Sequence, residues 1–172
     1  FGGTFDDEAW TMDNYQHFDS YDTGLPLSLG DYGYHLKFYH GDGPGAMGFY
    51  SFLNRLGVQD QYTAQDYLAT HPNESNAKVG TWGIHDLPFE QAMAEDMKSL
   101  REPFGAFFFS LSNHSPFSMP KGYKGKLKRG TLPIHQTAQY ADDALREFFE
   151  RVKEEPWYSN TLFVITADHT SL

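Results

Sequence analysis

The feature that most constrains the fold is a long amphipathic segment followed closely by a short β-branched run. Over Ile134–Val152, apolar residues recur every three or four positions, and this spacing predicts a helix. The apolar run at residues 161–166 is typical of a strand in the centre of a parallel sheet. A helix that leads into such a strand favours an α/β fold, here a three-layer sandwich with a mostly parallel sheet.

The same alternation of helix and strand patterns recurs earlier in the chain. Helices are predicted at residues 25–29 and 47–56 and from Leu87 onward, and strands at residues 34–39 and 104–111. Residues 1–22 are predicted to be irregular with one short helix, and residues 58–82 carry no strong pattern. Two helix faces are expected to enter the core: Phe89, Met93, Met97 and Leu100 on one, and Ala138, Ala141, Leu145, Phe148 and Val152 on the other.

Composition narrows the function classes. The formal net charge of −10 argues against non-specific binding to nucleic acid or to an anionic membrane, both of which need a basic field. The longest strongly apolar stretch, residues 104–111, is too short to span a bilayer. The absence of cysteine excludes disulfides, thiolate metal sites and a cysteine nucleophile. One local exception is a basic segment at residues 121–129, which is either a solvated loop or a place that attracts an anion.

Each of the three predicted strands ends in a polar sequence that contains histidine. These endings are His40-Gly41-Asp42, Asn113-His114-Ser115 and Asp168-His169-Thr170. In open parallel sheets, ligands bind beyond the carboxyl ends of the strands. The sequence therefore predicts that His40, His114 and the Asp168/His169 pair lie along one edge of the sheet and share a site.

The residue types at this edge suit a metal site and a contact to a substrate, and each residue also has a simpler structural explanation. A carboxylate beside an imidazole, as in Asp168-His169, suits Zn²⁺ or Mn²⁺, although the same dipeptide also occurs as a turn with a capping Asp. His114 either donates to an anionic oxygen of a substrate or caps the start of a loop. His40 has the same two readings, and the glycines after it allow close approach of a ligand.

Four motifs in this order resemble a known family. They are YHLKFYHGD, WGIHDLPF, FFFSLSNHSPF and YADDALREFFERVKEEPWYSNTLFVITADH. Together they resemble the lipoteichoic-acid-synthase-like branch of the sulfatase and alkaline phosphatase superfamily, from about Leu25 to the last residue. In that branch a strand ends in His-Gly-Asp, a Trp-Gly-x-x-Asp stretch introduces a helix, and a later strand ends in Asp-His.

The resemblance implies a role for each candidate residue. Asp168 and His169 match two ligands of a catalytic divalent metal, typically Mn²⁺ or Zn²⁺, with Ca²⁺ and Mg²⁺ as further options. His114 matches the histidine that contacts the phosphate or sulfate of the substrate, and His40 matches one that lines the head-group pocket. The metal in such enzymes neutralises charge on the nucleophile and on the ester.

The resemblance also implies what surrounds this chain. Residues 1–23 contain no strand–loop–helix unit with a nucleophile, so we expect the nucleophile upstream and no catalytic nucleophile within residues 1–172. The chain is then a partial sulfatase-like catalytic domain that lacks the N-terminal nucleophile-bearing part and a C-terminal part. Its parent is expected to be a membrane-anchored bacterial protein with this domain outside the cytoplasm, in the periplasm or at the cell surface.

The resemblance also predicts a function, although two residues depart from the family pattern. We expect a metal-dependent hydrolase or transferase of phosphate or sulfate esters of the cell envelope or of glycans. The alternative is a non-catalytic binding module for an anionic glycan or phosphate on the same core, and the simplest reading is an α/β scaffold. Met47 and Phe49 stand where lipoteichoic acid synthases carry a Trp and an Arg that grip phosphoglycerol, which places that substrate in question.

Overall fold

The computed structural model describes residues 24–43, 46–74, 78–79, 82–128 and 130–169. The helices are α1 (Leu25–Asp31), α2 (Phe49–Arg55), α3 (Ala64–Thr70), α4 (Asp86–Met97) and α5 (Ile134–Val152). The strands are β1 (His35–His40), β2 (Asp60–Tyr62), β3 (Lys78–Val79), β4 (Gly83–Ile84) and β5 (Phe104–Phe109). Single 3₁₀ turns lie at Ala46–Gly48 and Tyr158–Asn160. The predicted irregular segment at residues 1–22 lies outside the described residues.

The main sheet is parallel and places β1 between β2 and β5. The pairing of β1 with β5 runs from His35 opposite Phe104 to His40 opposite Phe109. The two strands therefore end together, and their carboxyl ends lie at one edge of the sheet. This confirms two of the three predicted strands and their parallel arrangement. The short β2 and the antiparallel β3–β4 pair were not foreseen.

Apolar side chains cover both faces of this sheet and confirm the layered fold. Leu36 and Phe38 on one face pack with the α2 residues Phe52 and Leu53. On the other face, Tyr39 packs in a second cluster with residues of α4 and α5. Burial on both faces is the pattern of a parallel sheet covered by helices. In the described part of the chain, no helix has both the length and the hydrophobicity needed to cross a bilayer.

The predicted central strand at residues 161–166 is wrong for the structure as described. The segment pairs with no strand among the described residues, and Leu162, Val164 and Ile165 are 87%, 78% and 67% exposed. The Phe163 ring packs against those of Phe149 and Tyr158, and the Thr161 hydroxyl donates to the Trp157 carbonyl oxygen at 2.7 Å. A β-branched apolar run forms a strand only where a neighbouring strand supplies hydrogen bonds.

The buried face of α5 also differs from the predicted one. Phe148 and Val152 are buried as expected, but Ala138 is exposed. The N-terminal half of the helix instead buries Thr137 and Tyr140. Both polar side chains have partners there: the Thr137 hydroxyl donates to Asn113 Oδ1 at 2.8 Å, and the Tyr140 hydroxyl accepts from the Leu87 N–H at 3.2 Å. These hydrogen bonds make burial of the polar atoms favourable.

Two glycines allow the end of β1 to touch β4. The Ile84 N–H donates to the carbonyl oxygen of Gly41 at 2.7 Å. Gly83 has a φ of +141°, and a Cβ atom there would lie 2.1 Å from that same oxygen. Only glycine meets both demands at this position. The contact brings the Trp82–Asp86 stretch to the carboxyl edge of the sheet.

Replacing Gly83 with Ala should therefore lower the free energy of unfolding by about 2–5 kcal/mol, since backbone strain and overpacking each cost about 1–3 kcal/mol. Gly122→Ala is the matched control, because Gly122 also has a positive φ (+79°) but no atom lies within 4 Å of the added methyl group. We expect a cost of about 1 kcal/mol there. Urea denaturation measures both variants, and equal losses would contradict the close-contact explanation.

Candidate functional site

The candidate site lies at the carboxyl edge of the sheet, where three loops meet. One loop follows His40 at the end of β1, one carries Trp82 before β4, and one runs from Ser110 to Ser115 after β5. The register of β1 with β5 brings the first and third loops together. The Gly41–Ile84 hydrogen bond adds the second. The predicted sharing of one edge by His40 and the His114 loop is confirmed.

His114 lies on the exposed side of this edge. Its Nδ1 is 2.8 Å from the carbonyl oxygen of Ser115. Because a carbonyl oxygen can only accept, Nδ1 must carry a proton, which leaves Nε2 as the nitrogen that can meet a ligand. The Trp82 ring lies 4.3 Å from the imidazole, centroid to centroid, and its Nε1–H donates to the same Ser115 oxygen at 2.9 Å. The imidazole is thus held in place yet open to solvent.

His40 has a very different environment. Its side chain is only 3% exposed, and its ring contacts the rings of Phe38, Phe49 and Phe109. Nδ1 donates to the Phe109 carbonyl oxygen at 3.0 Å, and Nε2 has no hydrogen-bond partner among the described residues. Burial lowers the pKa of His40 below its usual value, so the imidazole is neutral at pH 7. Its Nε2 is then an acceptor, which suits a hydroxyl group better than an anionic oxygen.

Phe49 explains part of that environment. It is buried, and its ring lies 5.1 Å from the His40 ring and 5.2 Å from the Phe109 ring. The resemblance predicts a residue that grips phosphoglycerol at this position, and the structure instead has a core aromatic side chain here. The side chain of Met47, the second departure, lies outside the described part of the structure.

A buried polar cluster lies directly behind the His114 loop, and the sequence analysis did not find it. The cluster contains His85, Asp86 and Glu90 from the start of α4, with Ser112 from the loop and Tyr140 from α5. The Asp86 carboxylate accepts the N–H groups of Leu111 at 2.8 Å and Ser112 at 3.1 Å. An acidic residue in the first helical turn is a visible helix-start signal, but its burial depends on contacts from distant elements.

Burial shifts the ionisation of this cluster. It lowers the pKa of His85 to about 4. Desolvation, and secondarily the neighbouring Asp86 carboxylate, raises the pKa of Glu90 to about 9. His85 and Glu90 are therefore both neutral at pH 7. Desolvation raises the pKa of Asp86 above its usual value, and the hydrogen bonds from Leu111 and Ser112 oppose that rise.

Asp168 and His169 lie at the end of the exposed run rather than at the end of a paired strand. Asp168 Oδ2 and His169 Nε2 are 3.5 Å apart. Two ligands bound at 2.0–2.2 Å to one tetrahedral ion would be separated by about 3.4 Å, and a direct contact between these two side chains has the same separation. No group of three or more His, Asp or Glu side chains suited to an ion occurs among the described residues. A complete site needs ligands beyond this pair.

Solved structures define the class of fold. A protein of the alkaline phosphatase superfamily from Vibrio parahaemolyticus matches with a TM-score of 0.66 at 23% identity, over 82% of this chain and 35% of that one. The lipoteichoic acid synthase LtaP from Listeria monocytogenes matches with a TM-score of 0.59 at 21% identity, over 76% and 33%. The fold is that of the alkaline phosphatase superfamily, as predicted.

Sequence relatives define the family. The sulfatase family model matches residues 6–171, and the chain belongs to the sulfatase family. Lipoteichoic acid synthase 1 of Bacillus subtilis is 31% identical over 152 residues, which are 81% of this chain and 22% of that protein. Lipoteichoic acid synthase of Staphylococcus aureus is 29% identical over 80% of this chain and 21% of its own length. The predicted resemblance is confirmed, and the chain spans about a fifth of these curated relatives.

The cluster predicts a pH dependence of stability. The folded state keeps the Glu90 proton up to about pH 9, whereas the unfolded state loses it near the ordinary value of 4.5. The contribution of Glu90 to the free energy of unfolding is therefore complete below pH 4.5 and decreases as the pH rises towards 9. Between pH 7 and 8.5 the loss should be about 2 kcal/mol.

Glu90→Gln should abolish this decline, because glutamine has no proton to lose. Glu95→Gln on the same helix is the matched control, since Glu95 is exposed and its pKa is lowered, chiefly by the hydrogen bond from Lys98. Urea titrations at both pH values measure the slopes. The range avoids His85, whose effect falls between its lowered pKa of about 4 and its ordinary value of 6.5. A slope unchanged by Glu90→Gln would contradict the assignment.

Proposed function

We propose that this chain is part of a metal-dependent enzyme that hydrolyses or transfers phosphate or sulfate esters. Its family and the names of its relatives support this function, and the observation that carries it is the exposed, oriented His114 at the carboxyl edge of the sheet. A site that binds an ester oxygen needs a donor open to solvent at this edge. His114 meets that need at its exposed Nε2 when both ring nitrogens carry a proton, whereas the buried His40 does not.

In this proposal the four candidate residues divide the work. His114 binds the anionic ester oxygen through Nε2 when protonated, and the Ser115 carbonyl keeps its ring in place. His40 lines the head-group pocket. Asp168 and His169 supply two ligands of a divalent ion, Mn²⁺ or Zn²⁺, with Ca²⁺ and Mg²⁺ as alternatives. When bound, such an ion activates the nucleophile and neutralises charge on the ester.

We further propose that residues 1–172 are one part of a larger catalytic domain. The support is that the chain covers about a fifth of its curated relatives and a third of its structural neighbours. The exposed Leu162, Val164 and Ile165 also fit a strand whose partner lies outside the described residues. The nucleophile and the remaining metal ligands belong to the other part. From the resemblance, we propose that the whole domain lies outside the cytoplasm, in a membrane-anchored protein.

A specific observation favours a second candidate function. Phe49 fills the place of a residue that grips phosphoglycerol in lipoteichoic acid synthases, and its side chain is buried. A buried phenylalanine in place of a substrate-binding residue is compatible with a module that holds an anionic glycan or phosphate without turnover. The two candidates separate on turnover: a binding module retains the anion-binding His114 but converts no ester.

The metal pair and His114 should respond differently to mutation in the full-length protein. Asp168→Ala or His169→Ala should lower metal content and turnover together, because affinity falls when a ligand is lost. His114→Ala should lower turnover by about 10²–10³ with the metal retained, since only one donor to developing charge is removed. Metal content by mass spectrometry and turnover of p-nitrophenyl phosphate and sulfate test both. Loss of the metal in His114→Ala would overturn the division of roles.

Residues 1–172 alone should not turn over either ester. Catalytic zinc-type sites need about three protein ligands, and the proposal places two of them here. The control is the full-length protein under the same conditions with added Mn²⁺ or Zn²⁺. Turnover by residues 1–172 that Asp168→Ala abolishes would show that the nucleophile and the missing ligands lie within this chain.

A further inference from the structure

The loop that carries His114 is held from behind by one buried carboxylate. Asp86 is 2% exposed, and its two oxygens accept the N–H groups of Leu111 and Ser112. In return, the Asp86 N–H donates to Ser112 Oγ at 2.9 Å. Ser112 is fully buried, so solvent does not compete for these bonds. Three hydrogen bonds thus join the first residue of α4 to the first turn after β5, and we call these three bonds the Asp86 clamp.

The Asp86 clamp also restrains the backbone of His114. The His114 N–H donates to the Leu111 carbonyl oxygen at 3.0 Å, so the residue that Asp86 fixes also fixes the backbone of His114. Asn113, between them, accepts from the Thr137 hydroxyl of α5. Trp82 holds Ser115 from the other side. Leu111, Ser112 and Asn113 are therefore bonded to the helices α4 and α5, and His114 is bonded to Leu111 and Ser115. These bonds set the geometry of the loop before any ligand arrives.

Asp86 is suited to this task by charge as well as by position. It lies in the first turn of α4, where the helix dipole favours a negative charge. Desolvation raises the pKa of Asp86, and the N–H hydrogen bonds oppose this because they are stronger to an ionised acceptor than to a neutral one. A neutral residue of the same shape could accept only one of the two N–H groups at an oxygen, and would present the other with an NH₂ group.

We propose that Asp86 is a positioning residue that holds the 111–115 loop so that His114 meets the ester oxygen in the reactive geometry. This inference rests on the proposed function of His114. It assigns Asp86 no contact with substrate or metal. Displacement of a catalytic group by about 1 Å can cost about 10²-fold in rate, so the clamp should contribute on this scale.

The test is a double-mutant cycle on the full-length protein with its metal bound. Asp86→Asn should lower kcat about 10²-fold with metal content unchanged. In the His114→Ala background, the same substitution should lower kcat less than about threefold, because the group it positions is already absent. Asp96→Asn is the matched control: it lies at the other end of α4, accepts from Tyr39 and Lys37, and should leave kcat unchanged in both backgrounds.

Ser112→Ala keeps the test decisive if Asp86→Asn does not fold. It removes one of the three bonds, and we expect a smaller loss of kcat that again disappears in the His114→Ala background. Equal losses in both backgrounds would mean a general structural role and would overturn the proposal. An active Asp86→Asn beside an impaired His114→Ala would overturn the positioning role alone. An active His114→Ala would instead overturn the proposed function, and the positioning role with it.

Discussion

The parallel pairing of β1 with β5 is the interaction on which the rest of the structure depends. It aligns His40 with Phe109, so that both strands end at the same edge and both loops that follow begin there. Helices pack on both faces of the pair, with Leu36, Phe38 and Tyr39 of β1 buried and the residues of β5 half-buried. An edge fixed in this way gives the loops a rigid base, and polar side chains on them keep a constant separation.

Two further contacts turn that edge into a site. The Gly41–Gly83 approach draws the Trp82 stretch against the end of β1, and it requires the absence of a side chain at Gly83. The Asp86 carboxylate then bonds α4 to the loop after β5. Both contacts lie between elements far apart in the chain. They leave the His114 side chain exposed, while hydrogen bonds hold the backbone of the loop that carries it.

The two histidines at this edge show how burial decides chemistry. His40 and His114 both follow strands that end at the same place, and each donates through Nδ1 to a backbone carbonyl. His40 is enclosed by three aromatic rings, which lowers its pKa and keeps it neutral. His114 remains in contact with solvent. The two histidines follow strands in the same way, yet His40 is a buried, neutral acceptor whereas His114 is open to solvent.

The sequence by itself determined the elements whose signals are local. The strands at 34–39 and 104–111 and the helices around Phe89 and Phe148 follow from apolar spacing, which reports burial directly. The family followed from four motifs in a fixed order, and the family model bears it out. The candidate edge followed because parallel strands present their carboxyl ends on one side.

Only the tertiary structure decided which polar groups are buried and what the apolar run at residues 161–166 does. Thr137 and Tyr140 replace Ala138 in the core because hydrogen-bond partners reach them from other elements. Asp86 is buried for the same kind of reason, since Leu111 and Ser112 donate to it, and the helix-start signal at Asp86 does not reveal that burial. The run at 161–166 has a strand's composition but pairs with none of the described strands. Composition sets what a segment prefers, whereas hydrogen bonding and burial depend on partners that the fold brings from elsewhere in the chain.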